Sequence, residues 1–367
     1  MQLLVLILGF PLTIYVVRAV IYGGIEEEAM QIVSRILFSF SLFALVHWFC
    51  STTIPRERVY RMFFYGFLVS AAICIFCGFT GIQILEEDSI KPSRFLGLMK
   101  STGIFRSFGE FGIMAALAWA YLMYFAKKLP PIVALVGFVM ILLAIAISQS
   151  RNVYLVITVV TASAILFRSM RIPALGRVSL AAFIIFVPLI VEVSMPILRS
   201  TSLGTQLIGE GILQTNVEVR FEHIRDAQDL IVKDPVLALV GFPREEWRDQ
   251  MLEKHGHAVA PHNHFVSSII FLGIIGGSVW IFGLFIVPAV AMSEVEQQPV
   301  DQMTFVIMLG AITGLSFYEG FFSCVVILAL AMTWATAWTS EYVPEFSNAE
   351  GHAMERNTLL HQAEGQI

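Results

Sequence analysis

Pro131-Ile132-Val133-Ala134-Leu135-Val136-Gly137-Phe138-Val139-Met140-Ile141-Leu142-Leu143-Ala144-Ile145-Ala146-Ile147-Ser148 contains no charged residue. As a helix it would measure about 27 Å, close to the roughly 30 Å of a bilayer's hydrocarbon core. Comparable apolar stretches recur at 1–21, 30–49, 59–80, 110–126, 151–168, 178–197, 263–291, 303–317 and 320–339. Lipid offers no partner to a backbone N–H or C=O, so a spanning segment must satisfy its own hydrogen bonds as a helix. Counting 131–148, the pattern predicts an all-α, polytopic helical membrane protein of about ten spans. Composition agrees: 57% of residues are hydrophobic and 14% charged, against about 25% charged in soluble domains.

Loop charges orient these spans. Ile54-Pro55-Arg56-Glu57-Arg58, Lys127-Lys128 and Arg168-Ser169-Met170-Arg171 carry the basic residues expected on the cytoplasmic side. The alternate connections are the acidic Glu26-Glu27-Glu28 turn and the long loops 81–109 and 198–262, which therefore lie outside. The connection at 291–302, with Glu294, Glu296 and Asp301, is acidic and does not discriminate. Four regions follow: a bundle of seven spans at 1–197, a partly helical outer loop at 198–262, further spans at 263–340, and a polar tail at 341–367 expected to be disordered on the cytoplasmic side. The chain opens in apolar sequence with neither a basic leader nor a small-residue cleavage pattern, so a first span is expected rather than a removed signal peptide. A net charge of −5 says little about a membrane protein, and no basic patch of the nucleic-acid type is present. Cys50, Cys74, Cys77 and Cys324 sit in or beside apolar stretches, where packing is expected of them rather than redox chemistry or a disulfide.

Residues 216–233 of the outer loop have helical periodicity. Glu218, Glu222, Arg225, Asp226, Asp229 and Lys233 share one side; Val217, Ile224, Ala227 and Ile231 share the other. Arg220 falls in the middle of the apolar side, one turn before Ile224. A guanidinium there must snorkel, pair with an acid, or meet an anion, and its planar fork suits phosphate oxygens. Arg225 faces solvent on this reading. Asp234-Pro235 ends the helix, since proline disfavours helical geometry in the residue before it. Gly241-Phe242-Pro243 then turns the chain into a second polar helical piece around Arg244–Lys254.

Further cations lie on the outer side. The 81–109 loop holds Arg94, Lys100 and Arg106, and Ser150-Arg151 sits between two spans with almost no loop. Each alone reads as an interface anchor. Together with Arg220 they point to an external anion held near the membrane, because outer cations oppose the usual bias.

Pro261-His262-Asn263-His264 stands where the loop meets the apolar run. Counted as one helix, His262 shares a face with Val266, Ile269, Gly273, Gly276 and Gly277, while His264 points nearly opposite. An imidazole titrates near neutral pH and suits a general base, the role preferred here for His262 over a capping or hydrogen-bonding one. Clustered histidines also bind zinc, but His255, His257, His262 and His264 fit none of the usual spacings, so no metal is assigned.

Arg220-Phe221-Glu222-His223-Ile224, Asp234-Pro235 through Gly241, and Pro261-His262-Asn263-His264 with Gly273 after ten intervening residues resemble the O-antigen ligase and polymerase family of bacterial surface-polysaccharide assembly. Arg94 to Gly112 and Ser150-Arg151 resemble it more weakly. The resemblance implies a GT-C-like helical bundle in the bacterial inner membrane, with its site facing the periplasm. It implies a glycosyltransferase that takes a glycan from undecaprenyl pyrophosphate and passes it to an acceptor sugar hydroxyl, the lipid A–core in a ligase. Carried over by position, His262 matches the essential histidine, Arg220 the loop arginine on the pyrophosphate, and Arg151 the second such arginine. Arg94, Arg106 and His264 are expected around the substrate. The leaving group is already activated, so no nucleotide is expected; the resemblance implies that no cofactor or metal is used, and direct displacement would invert the anomeric centre. A polymerase joining repeat units would use the same donor chemistry. A flippase for lipid-linked saccharides is the reading from another class; it would need charges deep in the spans, where Arg18 and Glu192 are the main candidates. A structural scaffold gives no reason for Arg220 on an apolar face.

Overall fold

The computed structural model describes residues 9–10, 13–14, 17–18, 37, 41, 44–45, 48, 56–82, 84, 94–95, 97–105, 107–169, 176–185, 226, 229, 232–255, 263–294 and 298–316. Among them the chain is almost entirely helical. In order these elements are α1 (Arg56–Thr80), a hairpin of β1 (Arg94–Phe95) and β2 (Leu98–Met99), α2 (Phe108–Phe125), α3 (Pro131–Ser148), α4 (Arg151–Ser169), α5 (Gly176–Ile185), α6 (Pro235–Val240), α7 (Arg244–His255), α8 (His264–Ile281), α9 (Val287–Glu294) and α10 (Pro299–Leu315). A π-helical turn at Phe282–Ile286 joins α8 to α9, one residue before Pro288 interrupts the regular hydrogen-bond ladder.

Helix boundaries follow local chemistry. Ser107 caps α2 by accepting from the Glu110 N–H, with Glu110 in the first turn. Proline occupies the first turn of α3, α6 and α10, where a missing N–H costs nothing. Asp234 caps α6 by accepting from the Val236 and Leu237 N–H groups at 2.9 and 3.0 Å. Asp234-Pro235 thus ends one helical piece and begins the next.

The bundle is built around α2, which packs on α1, α3, α4 and α10. Its small residues, Gly112, Ala115, Ala116, Ala118 and Ala120, let neighbours approach closely. α10 lies between α2 and α4 and is buried from Met303 to Leu315. By contrast, Met62, Tyr65, Val69 and Phe76 on α1, and Ile132, Leu135, Val139 and Leu142 on α3, are exposed at helical spacing. Apolar stripes facing outward from a helical bundle are what hydrocarbon solvates.

Among the described residues, five helical segments are long and apolar enough to cross a membrane: Arg56–Thr80, Phe108–Lys128, Pro131–Ser148, Arg151–Ser169 and His264–Met292; α5 and α10 are shorter apolar helices. The predicted stretches 1–21, 30–49, 178–197 and 320–339 lie largely or wholly outside the described residues, as does the tail. Two expectations change. The 81–109 loop contains a two-stranded antiparallel hairpin with Arg94 opposite Met99, a small exception to the all-α reading. The 263–291 stretch is not one straight crossing.

That stretch doubles back at Gly273, whose backbone (φ 71°, ψ 173°) is not helical. A Cβ on Gly277 would lie 2.8 Å from the Ile269 Cα, whereas eight residues of straight helix separate such atoms by about 12 Å. Phe265 and Phe285 stack edge to face at 5.3 Å. α8 is therefore a hairpin of two limbs, 264–272 and 274–281, with the second limb running on through the π turn into α9.

The bundle's two ends differ. At one, Arg56 pairs with Asp301 at 2.8 Å, and Glu57 pairs with Arg61 and Lys128. Arg168 there donates to the Met123 carbonyl and Arg177 to the Met292 carbonyl. At the other end sit the β-hairpin, the α3–α4 corner and the C-terminus of α10, where Asn152 donates to the Gly314 carbonyl.

Candidate functional site

The first limb of α8 presents the histidine segment. Asn263, with extended backbone, caps it: its Oδ1 accepts from the Phe265 and Val266 N–H groups at 2.9 and 3.2 Å. The helix opens at His264, so a helical phase counted back to residue 262 does not apply. Gly273 belongs to a turn rather than to a glycine seam below His262.

His264 is 1% exposed. Its Nε2 accepts the Trp280 indole N–H at 3.2 Å. An indole nitrogen only donates, so Nε2 supplies the lone pair and the ring proton sits on Nδ1. The rings of Phe265 and Phe285 meet the imidazole edge to face. The limb has nine residues and is about 13 Å long, so His264 sits that far from the turn, among the hairpin's own aromatics.

The turn is held by the outer loop. Gly241 (φ 93°) and Gly273 (φ 71°) press backbone to backbone. A Cβ at 241 would lie 2.3 Å from the Phe271 oxygen, and one at 273 would lie 2.0 Å from the Leu239 oxygen. Breaking a helix orphans the carbonyls of its last turn. Here the Phe242 N–H donates to the Ile270 carbonyl at 2.7 Å. The Arg18 guanidinium, buried, donates to the Phe242 and Phe271 carbonyls at 2.8 and 3.3 Å.

Side chains seal the same junction. Leu237 of α6, Phe242, and Trp247 and Met251 of α7 form one buried cluster with Val266 and Ile270 of the limb. Lys254 of α7 is ion-paired with Asp226. Asp226 was expected on a solvated face of the 216–233 helix but is buried, because α7 lies over it; Asp229 and Lys233 are exposed as expected.

The outer cations divide. Arg151 is exposed at the first residue of α4. The β-hairpin leans on that corner: Gln149 donates to the Leu98 carbonyl at 3.2 Å, and the Ser101 N–H to the Ile147 carbonyl at 3.4 Å. The backbone of Arg94, in β1, is thus brought to the same corner as Arg151. Lys100 lies half-buried with its Nζ 4.0 Å over the Phe108 ring, and burial lowers its pKa from the usual lysine value. His262, Arg220 and Arg106 lie outside the described residues.

Sequence reasoning did not anticipate the Trp280–His264 bond, the Gly241–Gly273 contact or the role of Arg18. All three are non-local, and only the glycines carried a local signal. Gly241 was read as a turn, while Gly273 was read as packing.

Residues 136–281, from α3 through the α8 hairpin, match the family model described as O-antigen ligase. The matched region contains Arg151, Arg220, Gly241, His262, His264 and Gly273. No curated protein and no solved structure matches the chain.

Proposed function

We propose, from the match of residues 136–281 to the family model described as O-antigen ligase, that this chain transfers a glycan from undecaprenyl pyrophosphate to an acceptor sugar hydroxyl at the periplasmic face of a bacterial inner membrane. The acceptor of a ligase is the lipid A–core. His262 removes the hydroxyl proton, and the oxygen attacks the anomeric carbon with inversion. Undecaprenyl pyrophosphate departs, its charge met by Arg220 and Arg151, with Arg94 and Arg106 on the same anionic head group. Fixed cations aimed where negative charge develops stabilise the transition state without reorganising. The pyrophosphate is activated already, so the reaction needs no nucleotide, and in this reading the arginines rather than a metal meet the charge of the leaving group.

One observation carries this reading: the outer loop and the histidine limb form one unit, locked at Gly241–Gly273 and sealed by the Trp247–Ile270 cluster. The Asp226–Lys254 pair ties the loop region that follows Arg220 to the same unit. A cation-bearing loop fixed to a histidine-bearing limb supports a shared site for donor and acceptor. Within the hairpin, Trp280 of the second limb engages the Nε2 of His264, which favours the neighbouring His262 as base and leaves His264 to orient the segment beside the substrate.

The test is complementation of a deletion strain, with surface glycans resolved on a gel. His262→Ala is expected to lower transfer by about 10²–10⁴-fold, the usual worth of a general base, while the protein still inserts and folds. Near-normal transfer would overturn the assignment. Loss of a ligase leaves bare core and accumulated lipid-linked polymer; loss of a polymerase leaves core bearing one repeat. Intact polymer with blocked export would mark a flippase instead.

A further inference from the structure

Arg18 lies far from the histidine segment in sequence, and no step of the transfer uses it. Residues 13–14 and 17–18 are helical, and two of their side chains reach α8. Ile14 lies against Gly276, its Cδ1 2.6 Å from where a Cβ would stand. One turn on, the buried Arg18 guanidinium reaches the Phe242 carbonyl of the loop and the Phe271 carbonyl of the hairpin turn. These carbonyls come from two backbone segments that only glycine lets meet. The Phe271 carbonyl is among those freed by the break, and it lies at the negative end of the limb's dipole, where a cation is favoured.

From this geometry we infer that Arg18 is a positioning residue for the transfer reaction: it staples the loop to the re-entrant limb and so fixes where the histidine segment points. The inference rests on the proposed transferase reading. Both bonds leave one guanidinium nitrogen, Nη1, so the shorter, more strongly hydrated ammonium of a lysine can replace the contact only in part. The N-terminal segment is thereby coupled to the reacting centre through the backbone, without touching substrate. Hydrogen bonds loosened at the junction let the limb sample other angles, and misplacement by about 1 Å costs on the order of 10²-fold in rate.

The test compares wild type, Arg18→Met, Arg18→Lys and His262→Ala as full-length proteins in nanodiscs. Amide hydrogen exchange is read for 239–243 and 270–273, and steady-state transfer is measured with a polyprenyl-pyrophosphate-linked oligosaccharide as donor. Arg18→Met is expected to speed exchange at the junction at least about tenfold while α2 and α10 keep their protection. Its kcat should fall by about tenfold or more with donor KM little changed, and Arg18→Lys should recover part of both. Unchanged junction exchange, or loosening spread evenly through the bundle, would overturn the staple. A loosened junction with full kcat would overturn the positioning role while the transferase reading stood. Failure of the transferase reading shows separately, as wild-type protein that transfers nothing from this donor, whereas an active His262→Ala protein would overturn only the choice of base. If Arg18→Met does not fold, Arg18→Lys must show intermediate exchange and kcat, and wild-type values for both would overturn the inference.

Discussion

Trp280 gives its indole N–H to His264 inside the hairpin, and that bond is a sensitive place to test how the segment is held. Trp280→Phe keeps an aromatic ring but leaves a buried acceptor without this donor, at a cost of about 1–3 kcal/mol. Thermal unfolding in detergent should move down accordingly; an unchanged midpoint would mean that the bond contributes nothing. Lys100 offers a pH test. Burial lowers its pKa, so the ammonium form costs more in the fold than in the unfolded chain. The penalty is absent above the unfolded lysine range, near 10.4, grows as pH falls from there towards the lower folded value, and is fully present below it. Lys100→Met, which keeps the apolar stem, should therefore be more stable than wild type at pH 7, and the gap should close as pH rises towards that range. A gap independent of pH would exclude the charge as its cause.

At the scale of elements, the junction between loop and hairpin is where side-chain volume is least tolerated. Gly273→Ala would place a methyl group 2.0 Å from the Leu239 oxygen in a left-handed conformation, with conformational strain of about 1–3 kcal/mol before the clash is counted. Exchange protection at Phe242 should collapse, whereas Gly97→Ala, also at positive φ but in open space, should disturb only its own turn. Ser107→Ala removes a cap worth about 1 kcal/mol and should lower the unfolding midpoint without touching the junction. Straight elements were legible in sequence: 131–148 and 151–168 appear as Pro131–Ser148 and Arg151–Ser169, because proline, Gln149 and Ser150 punctuate uninterrupted apolar runs. The hairpin was not legible. An apolar run reads the same whether helix is straight or doubled, and Gly241, whose bare backbone lets the loop close on the turn at Gly273, lies in a different, polar stretch. Of the candidate site, the sequence marked the histidine segment and the outer cations. It had no means to pair Arg18 with Phe271, or Trp280 with His264, since such contacts follow from how limbs cross rather than from local pattern.

Across the whole molecule, charge is sorted by end. Arg56, Arg61, Lys128 and Arg168 gather at one pole, and the hairpin, Arg151 and the loop-bound turn gather towards the other. The positive-inside bias then predicts that Ile104→Cys reacts with an impermeant thiol reagent in intact spheroplasts. Lys127→Cys should react only after permeabilisation, and the reverse pattern would invert the orientation. The doubled segment also bears on how this protein is made. Nine residues cannot bridge a bilayer, so the first limb of α8 has no stable resting place in lipid by itself. Its aromatic face shares a core with residues of α2, α4 and α10, and α10 emerges from the ribosome after it. Biogenesis must therefore be out of step with synthesis: the limb waits for a later-born helix before settling, and a nascent chain arrested ahead of Pro299 should remain open to quality-control proteases at this one place.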